Sequence, residues 1–440
     1  MHDKDITTGH GKANPWKWIP TLYFAEGIPY FIVNNISVIM FTNMGMSKGD
    51  MALYTSLLYL PWVIKPLWSP FVDIIRTKRW WIVAMQVLIA AAFGALALAL
   101  PSVSPETIAS GHTPVSVFSV TLAIFWITAF ASATHDIAAD GFYMMALNPG
   151  DQSLFVGIRS TFYRLSSIFG QGVLVVVAGL LERNLGDIPK AWSVTLALTS
   201  VIFAAVTLWH TFTLPRPKED CSRNLDAAGI VREFGRTFAT FFRKKAVWAA
   251  LLFMLLYRLP EAFLVKMMNP FLLNPLSEGG LGMSTESVGI VYGTAGVAAL
   301  TAGGIIGGIH ASRYGLKKSM WLMAAALTLP CLSFVFLSLF QPSNIWIIGS
   351  CVVLDQFGYG FGFTAYMLYL IYFSEGEFKT AHYSLCTAFM ALSMMLPGMV
   401  AGYMQEWLGY VGFFGFVMVC CLVTVAVTFL AKVDPEYGKR

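Results

Sequence analysis

The stretch "SATHDIAADGFYMMAL", residues 132–147, decides how this chain is read. It places His135, Asp136 and Asp140 within six residues, directly after "LAIFWITAFA" (122–131), which carries no charge. Ionised carboxylates are costly among hydrocarbon, so something has to offset that cost. The rest of the chain shows that hydrocarbon is their setting. Of 440 residues, 57% are hydrophobic and 12% charged, against roughly 25% charged in soluble domains. A soluble protein of this composition could not cover its surface with polar groups. The chain reads as an integral membrane protein.

A helix needs about 20 mostly apolar residues to cross the bilayer. About a dozen candidates fall near 17–43, 50–73, 80–101, 115–146, 153–181, 190–213, 246–273, 286–311, 318–340, 343–373, 380–406 and 409–432. Long continuous apolar runs, rather than alternating segments of ~10 residues, predict helices and exclude a barrel. Pro29, Pro61, Pro66, Pro260, Pro270 and Pro397 lie inside spans, where neighbouring helices can satisfy the freed backbone groups.

The net charge of +5 follows topology, not a nucleic-acid surface. Basic residues gather at Arg76, Lys78 and Arg79, across Arg216 to Lys245, at Arg313, Lys317 and Lys318, and at Lys432, Lys439 and Arg440. The loops between hold Lys48, Arg183 and Lys190. By the positive-inside rule both termini are expected in the cytoplasm. The first 16 residues are polar, with no short apolar signal core, so the first span is expected to act as a signal-anchor. The six cysteines form no CxxC pair, and buried thiols without a zinc site are expected.

Residues 214–245 carry eight Lys/Arg and four Asp/Glu and divide the chain. The expected organisation is a six-helix bundle over 1–213, a cytoplasmic linker over 214–245 and a second six-helix bundle over 246–440. Within the linker, 226–242 could form an amphipathic helix with Ile230, Phe234, Phe238 and Phe241 on one face. The halves also rhyme. "WSPFVDIIRTKRWW" (68–81) and "GGIHASRYGLKKSMW" (307–321) each end a helix, make a basic turn and start the next span with Trp. The first resembles the short cytoplasmic loop that marks the major facilitator superfamily, with Asp73 at its acidic position and Arg76, Lys78 and Arg79 as its basic ones. Ser312 replaces the acid in the second copy. A conformational latch and plain topology control are both open for this loop. Paired six-span halves imply rocking of one bundle against the other about a central site.

Ionisable groups inside spans are functional candidates by default: Glu26, Lys65, His135, Asp136, Asp140, Arg159, Arg164, Arg258, Glu261, Lys266, Asp355 and His382. Asp136 and Asp140 are four apart and share one helix face. Two carboxylates that close repel when both are ionised, an arrangement suited to proton binding. The competing reading is a structural salt bridge from each acid to Arg159 or Arg164. His135 could titrate or hydrogen-bond a sugar. Arg258 and Glu261 can pair across one helical turn, or line a cavity. Glu26 in "YFAEGIPYF" lies beside a Gly-x-Pro break where backbone could approach a ligand, and Asn34 and Asn35 need hydrogen-bond partners that a sugar supplies. Asp355 stands alone among Gly358, Gly360 and Gly362, as a proton site could.

"ATHDIAADGFYMMAL" (133–147) resembles the fourth-helix signature of the peptide/acetyl-coenzyme A/drug transporter group of that superfamily, with His135 in place of a usual Gln. "KPLWSPFVD" (65–73), "LYRLPEAFLVKMMNPFLL" (256–273), and "LDQFGYGFGFTAYMLYL" (354–370) with "TAHYSL" (380–385) resemble its second, seventh, tenth and eleventh helices. Asp355 stands where Glu is commoner. Within the group the chain is most similar to AmpG-type permeases, importers of anhydro-muropeptides driven by the proton gradient. The resemblance implies a monomeric, proton-coupled importer of an amino-sugar solute in the bacterial inner membrane, with membrane lipid around it and neither metal nor cofactor. Asp136, Asp140, Glu261 and Asp355 are then the proton-coupling candidates, and Glu26, Asn34, Asn35, His135 and Arg258 the solute contacts. A siderophore, an acyl-coenzyme A, another glycan fragment or a sensor role remain the alternatives. An intramembrane enzyme is disfavoured because HExxH is absent, and ATP-driven transport because GxxxxGK[ST] is absent.

Overall fold

In the computed structural model, residues 14–147, 149–217, 220, 227–376, 379–435 and 437 are described. They form an all-helical protein. Ten helices are long and apolar enough to cross a membrane. These are α1 Pro15–Asn43, α4 Lys78–Ala99, α5 Val115–Ala146, α6, α7 Ile188–Thr213, α9 Val247–Leu273, α10 Thr285–Tyr314, α11 Leu316–Phe340, α12 Ile345–Ser374 and α13. Helix α6 runs from Pro149–Ser167 through a wide turn, Ile168–Leu174, into Val175–Leu185. Helix α13, Lys379–Leu430, holds the last two predicted spans and turns at Gly409, whose φ of 66° only glycine adopts easily. The predicted span 50–73 is instead two shorter helices, α2 Lys48–Leu57 and α3 Leu60–Ile74. Pro61 causes that break, since it has no N–H to donate to the preceding turn. Pro260 does the same in α9, where Tyr257 and Arg258 separate two helical pieces.

Short polar residues end and start these helices. Ser47, Thr77, Asp187, Ser284 and Asn344 each accept a backbone N–H from the first turn that follows, satisfying donors the helix itself cannot. Tight connections of this kind keep sequential helices antiparallel and adjacent. Helix α5 packs on α4, α1 and α3, α4 on α7, and α1 on α6. In the second half α12 packs on α10 and α11, and α9 on α13. The halves meet where α13 lies along α2 and α3, and where α6 crosses α10.

That second crossing is close. A methyl group on Gly293 would sit 1.8 Å from the Gln171 carbonyl, so only glycine lets the two backbones touch. Both residues belong to wide helical turns, Ile168–Leu174 and Gly289–Gly296, and a third, Ile32–Ile36, follows Pro29 in α1. Turns of this type are common at functional sites. Between α7 and α9 the linker forms α8, Ala227–Phe242. Phe241 is buried there against Phe373, His382 and Phe389, while the side chains of Ile230 and Phe234 lie outside the described residues.

Candidate functional site

One helical turn separates Asp136 from Asp140 on α5, and each meets a cation from a different helix. Asp136 pairs with Lys65 of α3. Asp140 pairs with Arg159 of α6 at 2.9 Å and accepts a 3.2 Å hydrogen bond from the Tyr23 hydroxyl of α1. The Arg159 guanidinium also lies over the Tyr23 and Tyr143 rings, at 4.5 and 5.0 Å, a cation–π arrangement that fixes its plane. One turn past Tyr23, Glu26 adds a third carboxylate beside Asp136 and Asp140. Its Oε2 is buried with no hydrogen-bond partner.

Solvent reaches this cluster unevenly. The Asp140 and Arg159 side chains are 39% and 29% exposed, Asp136 and Lys65 18% and 19%, but Glu26 is buried. Tyr383 of α13 lies near Asp140, Lys65 and Arg159, so the second half approaches the cluster. Both acids are paired and yet keep part of their surface exposed.

The second half is built differently. Arg258 forks onto Glu261, Nε to Oε2 at 2.9 Å and Nη2 to Oε1 at 2.5 Å, and Nη2 also donates to the Tyr359 hydroxyl at 2.9 Å. Rings of Phe363, Tyr366 and Tyr359 box the guanidinium at 4.6, 5.6 and 5.7 Å. Both side chains are sealed from solvent, 5% and 4% exposed. Removing one partner of such a buried pair costs about 3–5 kcal/mol. Asp355, also buried, accepts from the Gln356 amide at 3.1 Å and lies near Tyr292 of α10. Its helix is pressed onto α10, where a methyl on Gly360 would meet the Leu300 carbonyl at 1.9 Å.

Asn34 and Asn35 sit in the wide turn of α1 and border a cavity of about 10 Å³ together with Tyr59, Lys266 and Asn269, room for a single water. His135 does not join the acids. It points into the first bundle, where Gln86 donates to its Nε2 at 2.9 Å, His210 Nδ1 donates to the Gln86 carbonyl oxygen at 3.0 Å, and His210 Nε2 meets the Thr21 hydroxyl at 2.9 Å.

At the short basic loop, Arg79 donates to the Thr211 and Leu214 carbonyls at 2.5 and 3.3 Å, covering the C-terminus of α7 in the same half. Arg76 lies 5.9 Å over the Trp80 ring, and the Lys78 ammonium lies against Gly141 of α5. The Asp73 side chain falls outside the described residues. A linker acid that the sequence did not single out meets this loop. Asp220 accepts from the backbone N–H groups of Lys78 and Arg79 at 2.7 and 3.0 Å, a carboxylate on a helix N-terminus.

Sequence reasoning also missed the opposite end of the molecule. Glu182 of α6 accepts from Asn43 at 2.9 Å, Trp192 at 2.8 Å and Thr285 of α10 at 2.6 Å. Arg183 pairs with Glu286 at 3.2 Å, Lys48 with Glu278 at 3.1 Å, and Glu406 accepts the Gly49 N–H at 2.8 Å. Each of the Thr285, Glu286, Glu278 and Glu406 contacts joins the first half to the second. The two halves are tied at this end, while Asp140 at the other keeps a partly exposed side chain.

Ten helices long and apolar enough to cross a membrane, with buried and half-buried ion pairs set among them, fit a membrane transporter for a small solute, as the comparisons bear out. Residues 21–381 match the Major Facilitator Superfamily, and the chain belongs to that family. It is 24% identical to the anhydromuropeptide permease of Escherichia coli K12 over 424 residues, 95% of this chain and 80% of that one. Its fold is similar to that of a D-xylose–proton symporter, with a TM-score of 0.71 at 12% identity, covering 98% and 100% of the two chains. A bacterial homologue of the human lysosomal transporter Spinster, in its inward-facing unoccupied conformation, superimposes with a TM-score of 0.67 at 14% identity, over 94% of each chain.

Proposed function

We propose that this transporter imports an amino-sugar solute such as an anhydro-muropeptide, coupled to proton entry, by alternating access. The observation that carries the reading is the half-open cluster of Glu26, Asp136 and Asp140 against Lys65 and Arg159. Three carboxylates against two cations leave one negative charge that a proton or a solute cation can neutralise, and Tyr383 of the second half lies near the cluster. Four helices contribute to it, so loading it acts on their relative positions. Glu261 and Asp355 are the coupling candidates of the second half. Glu26, Asn34, Asn35 and Arg258 are the solute contacts, and His135 is a support for α5. The solute class rests on the likeness to the Escherichia coli permease.

In this reading residues 1–213 and 246–440 rock as two bundles about the linker 214–245. The basic faces and both termini are cytoplasmic in a bacterial inner membrane, so the tied end is the outer one. The conformation is then inward-facing. Uptake of labelled anhydro-muropeptide into proteoliposomes tests the proposal. Accumulation that needs an acid-outside gradient supports it. Exchange without gradient dependence removes proton coupling, and no uptake removes the solute.

A further inference from the structure

Lys266 of α9 is a buried cation whose surroundings do not account for it. Its side chain is 5% exposed, and Nζ donates to the Thr55 hydroxyl of α2 at 3.1 Å while lying 5.6 Å over the Tyr59 ring. Among the described residues, no carboxylate stands within ion-pair distance of it. Lys65, Arg159 and Arg258 each have one. An ammonium held in an apolar bundle without a counter-charge costs several kcal/mol, and a hydroxyl with a ring face offsets only part of that.

Two further groups beside it are unsatisfied. The Oδ1 atoms of Asn34 and Asn269 are buried without a hydrogen-bond partner, and both residues border the same cavity as Lys266. A buried acceptor left unpaired costs about 1–3 kcal/mol. One cation and two acceptor oxygens around one cavity therefore wait for a complementary pattern, a single negative charge flanked by N–H or O–H donors. A phosphate dianion fits poorly, because its oxygens would face the two amide oxygens and it carries no donors. A carboxylate next to an amide N–H or a hydroxyl fits.

We infer that Lys266, Asn34 and Asn269 form a subsite for the carboxylate of a solute that carries N–H or O–H donors beside it. The inference rests on the transporter reading and adds a substrate class, an N-acyl amino acid or a sugar acid. The Lys266–Thr55 bond joins the two halves, so parting them frees the ammonium and enlarges the cavity for the incoming acid group. The solute anion then takes the place of the Thr55 hydroxyl.

The test uses the full-length protein in nanodiscs and pairs of probes differing only in charge, N-acetylmuramic acid with its methyl ester and N-acetylalanine with its methyl ester. The wild type is expected to bind the acid of at least one pair about 10- to 100-fold more tightly than the ester, the loss of one charge-assisted hydrogen bond. Lys266→Gln should bind acid and ester alike, with its thermal melt reporting folding, and Lys266→Arg should keep the preference. Lys266→Met serves if the Gln variant does not fold. No acid preference in either wild-type pair overturns the inference, as does a preference that survives in Lys266→Gln. Failure of anhydro-muropeptide uptake alone refutes the solute proposed above and leaves this comparison readable.

Discussion

Glu182 and Thr285, 103 residues apart, meet at 2.6 Å across the line where the two halves touch. The same carboxylate holds Asn43 and Trp192, so one half-buried acid fixes the ends of α1, α6, α7 and α10. A hydrogen bond to a charged group contributes about 1.5–3 kcal/mol. Losing the one to Thr285 should move the balance between the closed and open forms of this end by roughly tenfold or more. Spin labels at Glu106 and Ser343, exposed in the connections α4–α5 and α11–α12 of the two halves, read this directly. The wild type should give a single short distance, and Glu182→Ala should add a longer one. An unchanged distribution would mean that the glycine crossing at Gly293 holds the end shut without help.

Asp140 is paired and half open, and the two properties predict different things. Asp140→Asn leaves Arg159 without its carboxylate, which should lower the melting temperature of the purified protein and abolish gradient-driven accumulation. Adding Arg159→Gln removes the orphaned cation, so the double variant should regain thermal stability while counterflow proceeds and accumulation stays absent. A double variant that accumulates solute as the wild type does would take Asp140 out of coupling and leave it a structural partner.

Close packing makes a prediction about stability alone. A side chain at Gly360 would overlap the Leu300 carbonyl, 1.9 Å from the added carbon, and α12 cannot shift without disturbing α11 on its other side. Gly360→Val should cost several kcal/mol, as overpacking does in tight cores, and appear as a large drop in melting temperature in detergent. Gly308→Val is the control, because nothing lies within 4 Å of its added carbon. Equal melting of the two variants would contradict the tight α10–α12 contact.

The spans were legible in the sequence because hydropathy over 20 residues is a local property. The break at Pro61 was not, since proline inside a membrane helix is often accommodated and only its neighbours decide. Asp136 and Asp140 stood out as acids in an apolar run, and Arg159 was foreseeable as a partner one short turn away. Lys65 was visible as a charge but not as the partner of Asp136, which lies 71 residues off. His135 shows the limit of reading neighbours as a group. One residue is about 100° of helix rotation, enough to turn it from the acids toward Gln86. Glu182 at a span end looks like any solvated acid, and its role depends on Asn43 and Thr285 arriving from distant helices.

Asp355 makes the sharpest case for proton coupling in the second half. It is buried, and its described hydrogen bond is to the neighbouring Gln356, so the ionised form has little to stabilise it inside the bundle. If the loaded carrier turns only with this carboxyl protonated, wild-type uptake should fall as the outer pH rises. Asp355→Asn imitates the protonated form and cannot release the proton inside. Its uptake should therefore be equal at acid and neutral outer pH, with accumulation lost and exchange retained. Glutamate at this position keeps an ionisable group on a longer arm, so Asp355→Glu should restore a falling profile. If Asp355→Asn keeps the wild-type dependence on outer pH, the residue serves packing, and coupling rests on the cluster around Asp136.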